Sequence, residues 1–483
     1  MLWLVPTCRF AMAFLRLRPR LLALALLPAL GACVPKLGAP PKLATPADLP
    51  SAASLPDQGG IWPADGWWQA YGDPQLDRLI GEALAGSPDI AAAAARIARA
   101  EGVARQAGAA LAPEIGGNAS AGTAKQSYNN GIPKDFLPRG WKSTGNLNLQ
   151  LAWDLDLFGR NRATRRAALA EADATRLDAA EARLALAAAI ASSYADLARF
   201  HAERDVAADA LRIQGESARL VAQRVTTGLD TEAERAQANA LVPTSRADVA
   251  ALDEAIDLTR HQLAALVGAG PDRALAIARP APAVLRSLPL PSQAGIALVG
   301  RRPDIAAARL RAEAAAERIK AARAAFYPNL SLSALVGFQA LGISRLVDSG
   351  STYGSAGPAL SLPLFDAGRR QGGYRVARAD YDAAVADYDR TLVDALRDVA
   401  DAVASRNSLA TQFADARASL AESETAYRIA RLRYQGGLST YLSVLSAEQA
   451  LLAARRRVAD FNARGFALDV ALIRALGGGF ASQ

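Results

Sequence analysis

Two cysteines and two histidines are all that 483 residues contain. So few thiols and imidazoles leave no material for a disulfide framework, a metal cluster or histidine-based acid–base catalysis. His201 and His261 lie in helical sequence with no Cys or second His nearby, and read as surface or inter-helix residues. No phosphate loop, dinucleotide fingerprint or nucleophile elbow occurs. These absences together predict no enzyme, no catalytic residue and no metal site. Aromatic residues make up only 6%, which argues against a large aromatic core. Lysine is scarce as well, with six Lys beside 49 Arg. Runs such as Arg455-Arg456-Arg457 lack interleaved aromatics, so no nucleic-acid partner is expected.

What is abundant is alanine, about 110 residues within a hydrophobic fraction of 51%, far above ordinary usage. Alanine is the best helix former and has little bulk, so this composition predicts long helices packed closely side by side. The formal net charge is +8. Half of that excess sits at the N-terminus. Arg16, Arg18 and Arg20 precede the apolar run 21–30 and then Gly31-Ala32-Cys33. A basic stretch, a short apolar stretch and small residues before a cut predict a signal peptide over 1–32. The run is too short for a permanent membrane helix. Leu30-Gly31-Ala32-Cys33 resembles a bacterial lipobox, making Cys33 the expected lipid attachment site, with covalent diacylglycerol and an N-acyl chain as the only added groups. Val34 after it is compatible with the outer membrane. Met12 offers an alternative start with a more ordinary signal. Cleavage takes four arginines, so 51 basic residues face 47 acids, a balance of +4. Residues 33–62 carry Pro35, Pro40, Pro41, Pro46, Pro50 and Pro56 and read as an acylated, extended tether.

The body repeats itself. Pro88-Asp89-Ile90-Ala91 returns as Pro303-Asp304-Ile305-Ala306, and Gly228-Leu229-Asp230-Thr231 as Gly437-Leu438-Ser439-Thr440. Landmarks in the same order predict one duplicated unit, 63–268 and 301–483, joined by a linker over 269–300. Each copy opens with a helix that reaches Pro113 or Pro328; Ser87-Pro88-Asp89 supplies an N-cap and a proline at the first helical position. Two strands follow, expected at about 113–124 and 144–157, then at about 329–341 and 355–365. A very long helix, a glycine turn near 228 or 437, and a returning helix complete the unit. In Asn146-Leu147-Asn148-Leu149-Gln150-Leu151 apolar and polar residues alternate; Leu330, Leu332, Val336 and Phe338 share one face, and Leu360, Leu362 and Leu364 another. Strands of this kind match the membrane β-barrel signature, and also a half-buried soluble hairpin. Four strands cannot close a barrel, so a membrane location requires several chains. Val385, Tyr388, Leu392, Leu396, Val399 and Val403 have coiled-coil spacing. A proline-free helix from Arg160 to Thr226 would reach ~100 Å.

Four segments together resemble one family. They are Trp67-Trp68-Gln69-Ala70-Tyr71-Gly72-Asp73-Pro74-Gln75-Leu76, Arg301-Arg302-Pro303-Asp304-Ile305, Tyr327-Pro328, and Arg433-Tyr434-Gln435-Gly436-Gly437-Leu438-Ser439-Thr440-Tyr441-Leu442. The chain resembles the TolC-like outer-membrane efflux channels, specifically the lipoprotein (NodT-type) branch serving tripartite multidrug pumps of the RND type; the Leu-Gly-Gly-Gly stretch at 476–479 is similar to that branch too. The resemblance implies an α+β membrane protein: a homotrimer whose long helices form a periplasmic α-barrel and whose strands, four per chain, share a 12-stranded transmembrane β-barrel. It implies a passive duct working with a periplasmic adaptor and an inner-membrane pump, lipid-anchored in the outer membrane. Gly228, Leu229, Thr231, Gly437, Leu438 and Thr440 would be the adaptor-docking tips, or plain helix–helix turns that need glycine. The family's gate would fall on Leu442, on Ser446, where its acidic side chain is missing, and on Glu234, where the family has Asp. A periplasmic adaptor, or a structural coiled-coil lipoprotein without a pore, is the alternative; an adaptor should show one hairpin rather than two.

Overall fold

The computed structural model describes residues 34–56, 59–129, 131–281, 291 and 294–481. The signal segment and Cys33 lie outside the described residues, as does most of the stretch 282–293 within the linker. The chain divides into two compact units. The first gathers the N-terminal segment to Pro41 with Val103–Leu169 and Glu313–Ala383; the second gathers Lys42–Gly102, Ala170–Ala312 and Ala384–Gln483.

The first unit is built on an antiparallel sheet in the order β1 (Glu114–Ala124), β2 (Lys142–Asp154), β3 (Asn329–Leu341) and β4 (Thr352–Ser361). Each repeat supplies one hairpin, and the β2–β3 pairing, with Leu149 opposite Val336, joins the copies. That register places like with like. Leu147 faces Phe338 and Trp153 faces Leu332 on one side, while Asn146 faces Gln339 on the other. Strand ends differ from the alternation-based expectation for a local reason. β2 stops at Asp154, whose carboxylate accepts the Asp156 amide at 2.9 Å, and Asp156 turns the chain with φ 47. Leu155 and Leu157 therefore fall outside it. β4 stops at Ser361.

Among the described residues seven longer helices follow: α1 (Pro74–Gly86), α2 (Pro88–Ala109), α3 (Arg160–Thr226), α4 (Glu232–Val267), α5 (Pro303–Ala324), α6 (Arg369–Gln435) and α7 (Tyr441–Ala475). α2 and α5 end four residues before Pro113 and Pro328, since the residue ahead of a proline is pushed out of helical geometry. Asp73 caps α1, accepting the Gln75 and Leu76 amides at 2.8 and 3.2 Å. In the second unit one core forms around Leu79, Ile80, Ile190, Leu197, Leu263 and Ile473. Another forms around Ile305, Tyr388, Leu392, Val399 and Leu472. Each such side chain contributes about 1.5–3 kcal/mol by leaving water. Ala83, Ala191, Ala264 and Ala395 are fully buried between them, where a larger side chain would hold the helices apart. Among the described residues no helix is long and apolar enough to cross a membrane.

Candidate functional site

Two places carry the chemistry: the hairpin turns of the second unit and the sheet of the first. Both turns use one device. Gly228 takes φ 72, its amide donates to the Val225 carbonyl at 3.0 Å, and the Leu229 amide donates to Arg224 at 2.8 Å. Gly437 takes φ 71, with the matching bonds from Gly437 to Tyr434 and from Leu438 to Arg433. This is the Schellman helix end, which needs a left-handed residue after the last helical turn. The leucine that follows normally covers the helix end, yet Leu229 is 65% and Leu438 72% exposed. Both turns present an apolar side chain outward.

The helix starts beyond the turns are unlike each other. Thr231 and Glu234 form a reciprocal capping box: the Thr231 amide donates to Glu234 Oε2 at 2.8 Å, and the Glu234 amide to Thr231 Oγ1 at 3.3 Å. Thr440 makes no side-chain cap bond. The position equivalent to Glu234 holds Ser443. Leu442 is 62% exposed and Ser446 is exposed on the same helix. Of the residues singled out in the sequence, the six turn residues and Glu234, Leu442 and Ser446 all sit at these two hairpin ends, and Cys33 lies outside the described residues.

The two ends are joined by residues that the sequence reading gave no role. Asp230, inside the first turn, accepts Arg224 Nε at 3.0 Å and the hydroxyl of Tyr434 from the second hairpin. The Arg224 guanidinium lies 4.6 Å from the centre of the Tyr434 ring, and the Tyr434 and Tyr441 rings tilt together at 5.9 Å. Burial first, and then the Asp230 carboxylate, push the Tyr434 phenol well above its ordinary range. Burial pushes Tyr441 up to about 12. Behind them Val221, Leu445 and Leu451 close an apolar core. A sequence signal did exist. The turn motifs repeat at a spacing of 209 residues, yet Val225 becomes Tyr434 and Asp230 becomes Ser439. Asp230 and Tyr434 lie where the two copies diverge.

On the sheet, Leu147, Leu149, Val336 and Leu360 expose one apolar face. The opposite face is polar and hydrogen-bonded: Asn146 Nδ2 donates to Tyr353 at 2.8 Å, and Asn148 Nδ2 donates to Asn146 Oδ1 at 2.6 Å and to Tyr353 at 3.1 Å. Asn148 and Tyr353 meet across β3 because Gly337 lies opposite both; a Cβ there would stand 2.6 Å from that of Asn148. β1 and β4 are the edges of this sheet, each paired on one side only. The N-terminal segment lies against α6, where the Gly38 and Ala39 carbonyls accept from Arg378 at 3.2 and 2.6 Å and Pro41 accepts from Tyr381 at 3.2 Å.

These features have counterparts among known proteins. The family profile described as outer membrane efflux protein matches residues 79–269 and 297–478. The fusaric acid resistance protein FusA of Burkholderia cepacia is 37% identical over 322 residues, covering 64% of this chain and 59% of that protein. The pyoverdine export outer membrane protein OpmQ of Pseudomonas putida is 31% identical over 433 residues, covering 85% of this chain and 87% of its own. The crystal structure of the outer membrane protein VceC of Vibrio cholerae aligns with TM-score 0.82 at 43% identity, covering 87% of this chain and all of VceC. The chain belongs to the outer membrane efflux protein family and is the outer-membrane channel component of an efflux pump.

Proposed function

We propose that this chain works as a homotrimeric, passive duct: three copies close their sheets into a 12-stranded barrel, and the long helices line a periplasmic tunnel. One observation carries this reading. The sheet has one exposed apolar face, one hydrogen-bonded polar face and two open edges. In lipid an open edge leaves backbone groups unsatisfied, so such a sheet is stable there only when neighbouring copies pair β4 with β1. A periplasmic adaptor or a pore-free coiled-coil lipoprotein has no use for it. The duct performs no chemistry of its own; an inner-membrane pump of the RND type does the work.

The exposed Leu229 and Leu438, with Gly228, Thr231, Gly437 and Thr440 around them, support docking of a periplasmic adaptor at the hairpin ends. The gate there rests on the apolar Leu442. Ser446 offers no charge, and Glu234 is engaged by its cap. Cys33 is the lipid anchor; support comes from the tether held along α6 by Arg378 and Tyr381. A wide duct need not bind what it passes, so no substrate is assigned.

Reconstitution of the purified protein into a planar bilayer tests the reading. The expected result is a trimer with discrete conductance steps, and more open time once Asp230→Asn unfastens the hairpin ends. A trimer that stays silent even as that variant would overturn the duct.

A further inference from the structure

Glu448 lies two turns into α7, near the hairpin ends, and is only 1% exposed. Its Oε2 accepts from the Ser217 hydroxyl of α3 at 3.3 Å, and its Oε1 has no hydrogen-bond partner among the described residues. Gln214 lies beside it and is fixed by Ser245 of α4, whose hydroxyl donates to the Gln214 amide oxygen at 2.5 Å. Tyr427 of α6 completes the surround. One carboxyl of α7 thus sits buried against α3 and beside Tyr427 of α6.

Among the described residues no cation pairs with it. The nearby arginines are committed elsewhere: Arg431 to Glu216 at 3.5 Å, and Arg455 to Asp209 and Glu424. The other titratable groups against it are Tyr427 and Tyr441, both pushed up by burial and neutral throughout the physiological range. A buried carboxylate without a cation costs several kcal/mol, so the group takes up a proton instead. Burial accordingly pushes Glu448 above the ordinary carboxylate range, against the smaller opposing effect of Ser217 and Gln214.

We propose that Glu448 is a proton-linked latch: protonated, it keeps the α3–α7 seam packed, and its ionisation favours separation of the hairpins. A carboxyl raised in the packed state stabilises that state below its ordinary range and stops doing so as pH climbs through the raised value. Between those limits the separated population grows up to about tenfold per pH unit. The consequence for conduction rests on the duct reading; the coupling itself does not.

The test is hydrogen exchange on the full-length, detergent-solubilised protein, following segments 213–221 and 441–452 from pH 5 to 8.5 with intrinsic rates divided out. Wild type should lose protection progressively as pH rises. Glu448→Gln, neutral at every pH, should stay protected throughout. Ser217→Ala removes a donor that favours the ionised form, so its transition should move to higher pH, which keeps the test alive if Glu448→Gln fails to fold. Wild-type pH dependence surviving in Glu448→Gln, or absent from wild type, overturns the latch. Bilayer conductance separates the two readings. A normal exchange transition in a non-conducting trimer sinks the duct alone, and a conducting trimer without the transition sinks the latch alone.

Discussion

Substituting Asp230→Asn removes the carboxylate that joins the first hairpin turn to Tyr434 of the second hairpin. Its side chain is 5% exposed and that of its partner Arg224 13%. Removing one member of a buried pair costs about 3–5 kcal/mol, chiefly because the other charge is stranded. Arg224 is not fully stranded, since its guanidinium keeps the Tyr434 ring at 4.6 Å, a contact of about 1 kcal/mol or more. The net expectation is about 2–4 kcal/mol, or roughly 30- to 900-fold in the balance between joined and separated ends. Tyr434→Phe loses only the hydroxyl bond to a charged acceptor, about 1.5 kcal/mol or tenfold. Because both changes break one contact, the double variant should fall short of the sum by at least about 1 kcal/mol. Single-channel recording gives the open fraction of each variant directly. Additive effects, or an Asp230→Asn channel that opens no more than wild type, would refute the reasoning.

Gly477→Ala should destabilise by about 3 kcal/mol or more, because Gly477 sits at φ 90 and its Cβ would stand 1.9 Å from the Arg301 carbonyl oxygen. Gly102→Ala is the control: it lies in α2 with nothing within 4 Å and should stabilise by about 0.5–1 kcal/mol, both read as shifts of the melting midpoint. Thr231→Ala should cost about 1 kcal/mol through loss of its capping box, whereas Thr440→Ala, which loses no cap bond, should be nearly neutral. Equal losses at the two threonines in denaturant melts would contradict that assignment.

The elements that depend on neighbours in sequence were legible. Ser87-Pro88-Asp89 announces α2, and the Ser87 hydroxyl accepts the Asp89 amide at 3.3 Å. The alternation through Leu147 and Leu149 announces β2, and glycine announces both turns. Contacts across the chain were not. Nothing near Asp230 says that its partner lies 204 residues away, and nothing near Leu149 selects Val336 as its neighbour. Local rules also mislead at Pro243, which should end a helix, yet α4 continues to Val267. Ser245 and Ile256, buried beyond it, hold the helix against the rest of the unit.

Duplication explains the scaffold, and departures from duplication explain what the scaffold does. At a spacing of 209 residues, Tyr441, Val444, Leu445 and Glu448 of α7 correspond to Glu232, Arg235, Ala236 and Asn239 of α4. The first four are buried and the second four exposed. One returning helix therefore packs its first turns into the hairpin core, while the matching face of its twin is exposed in the single chain. Replacing an Asn equivalent by a buried Glu, and a Val equivalent by a Tyr that reaches Asp230, adds polar contacts from the second hairpin to the first. On the duct reading proposed above, the hairpin ends part at these polar contacts, while the apolar cores around Ile190 and Leu392 hold the rest of each helix in place.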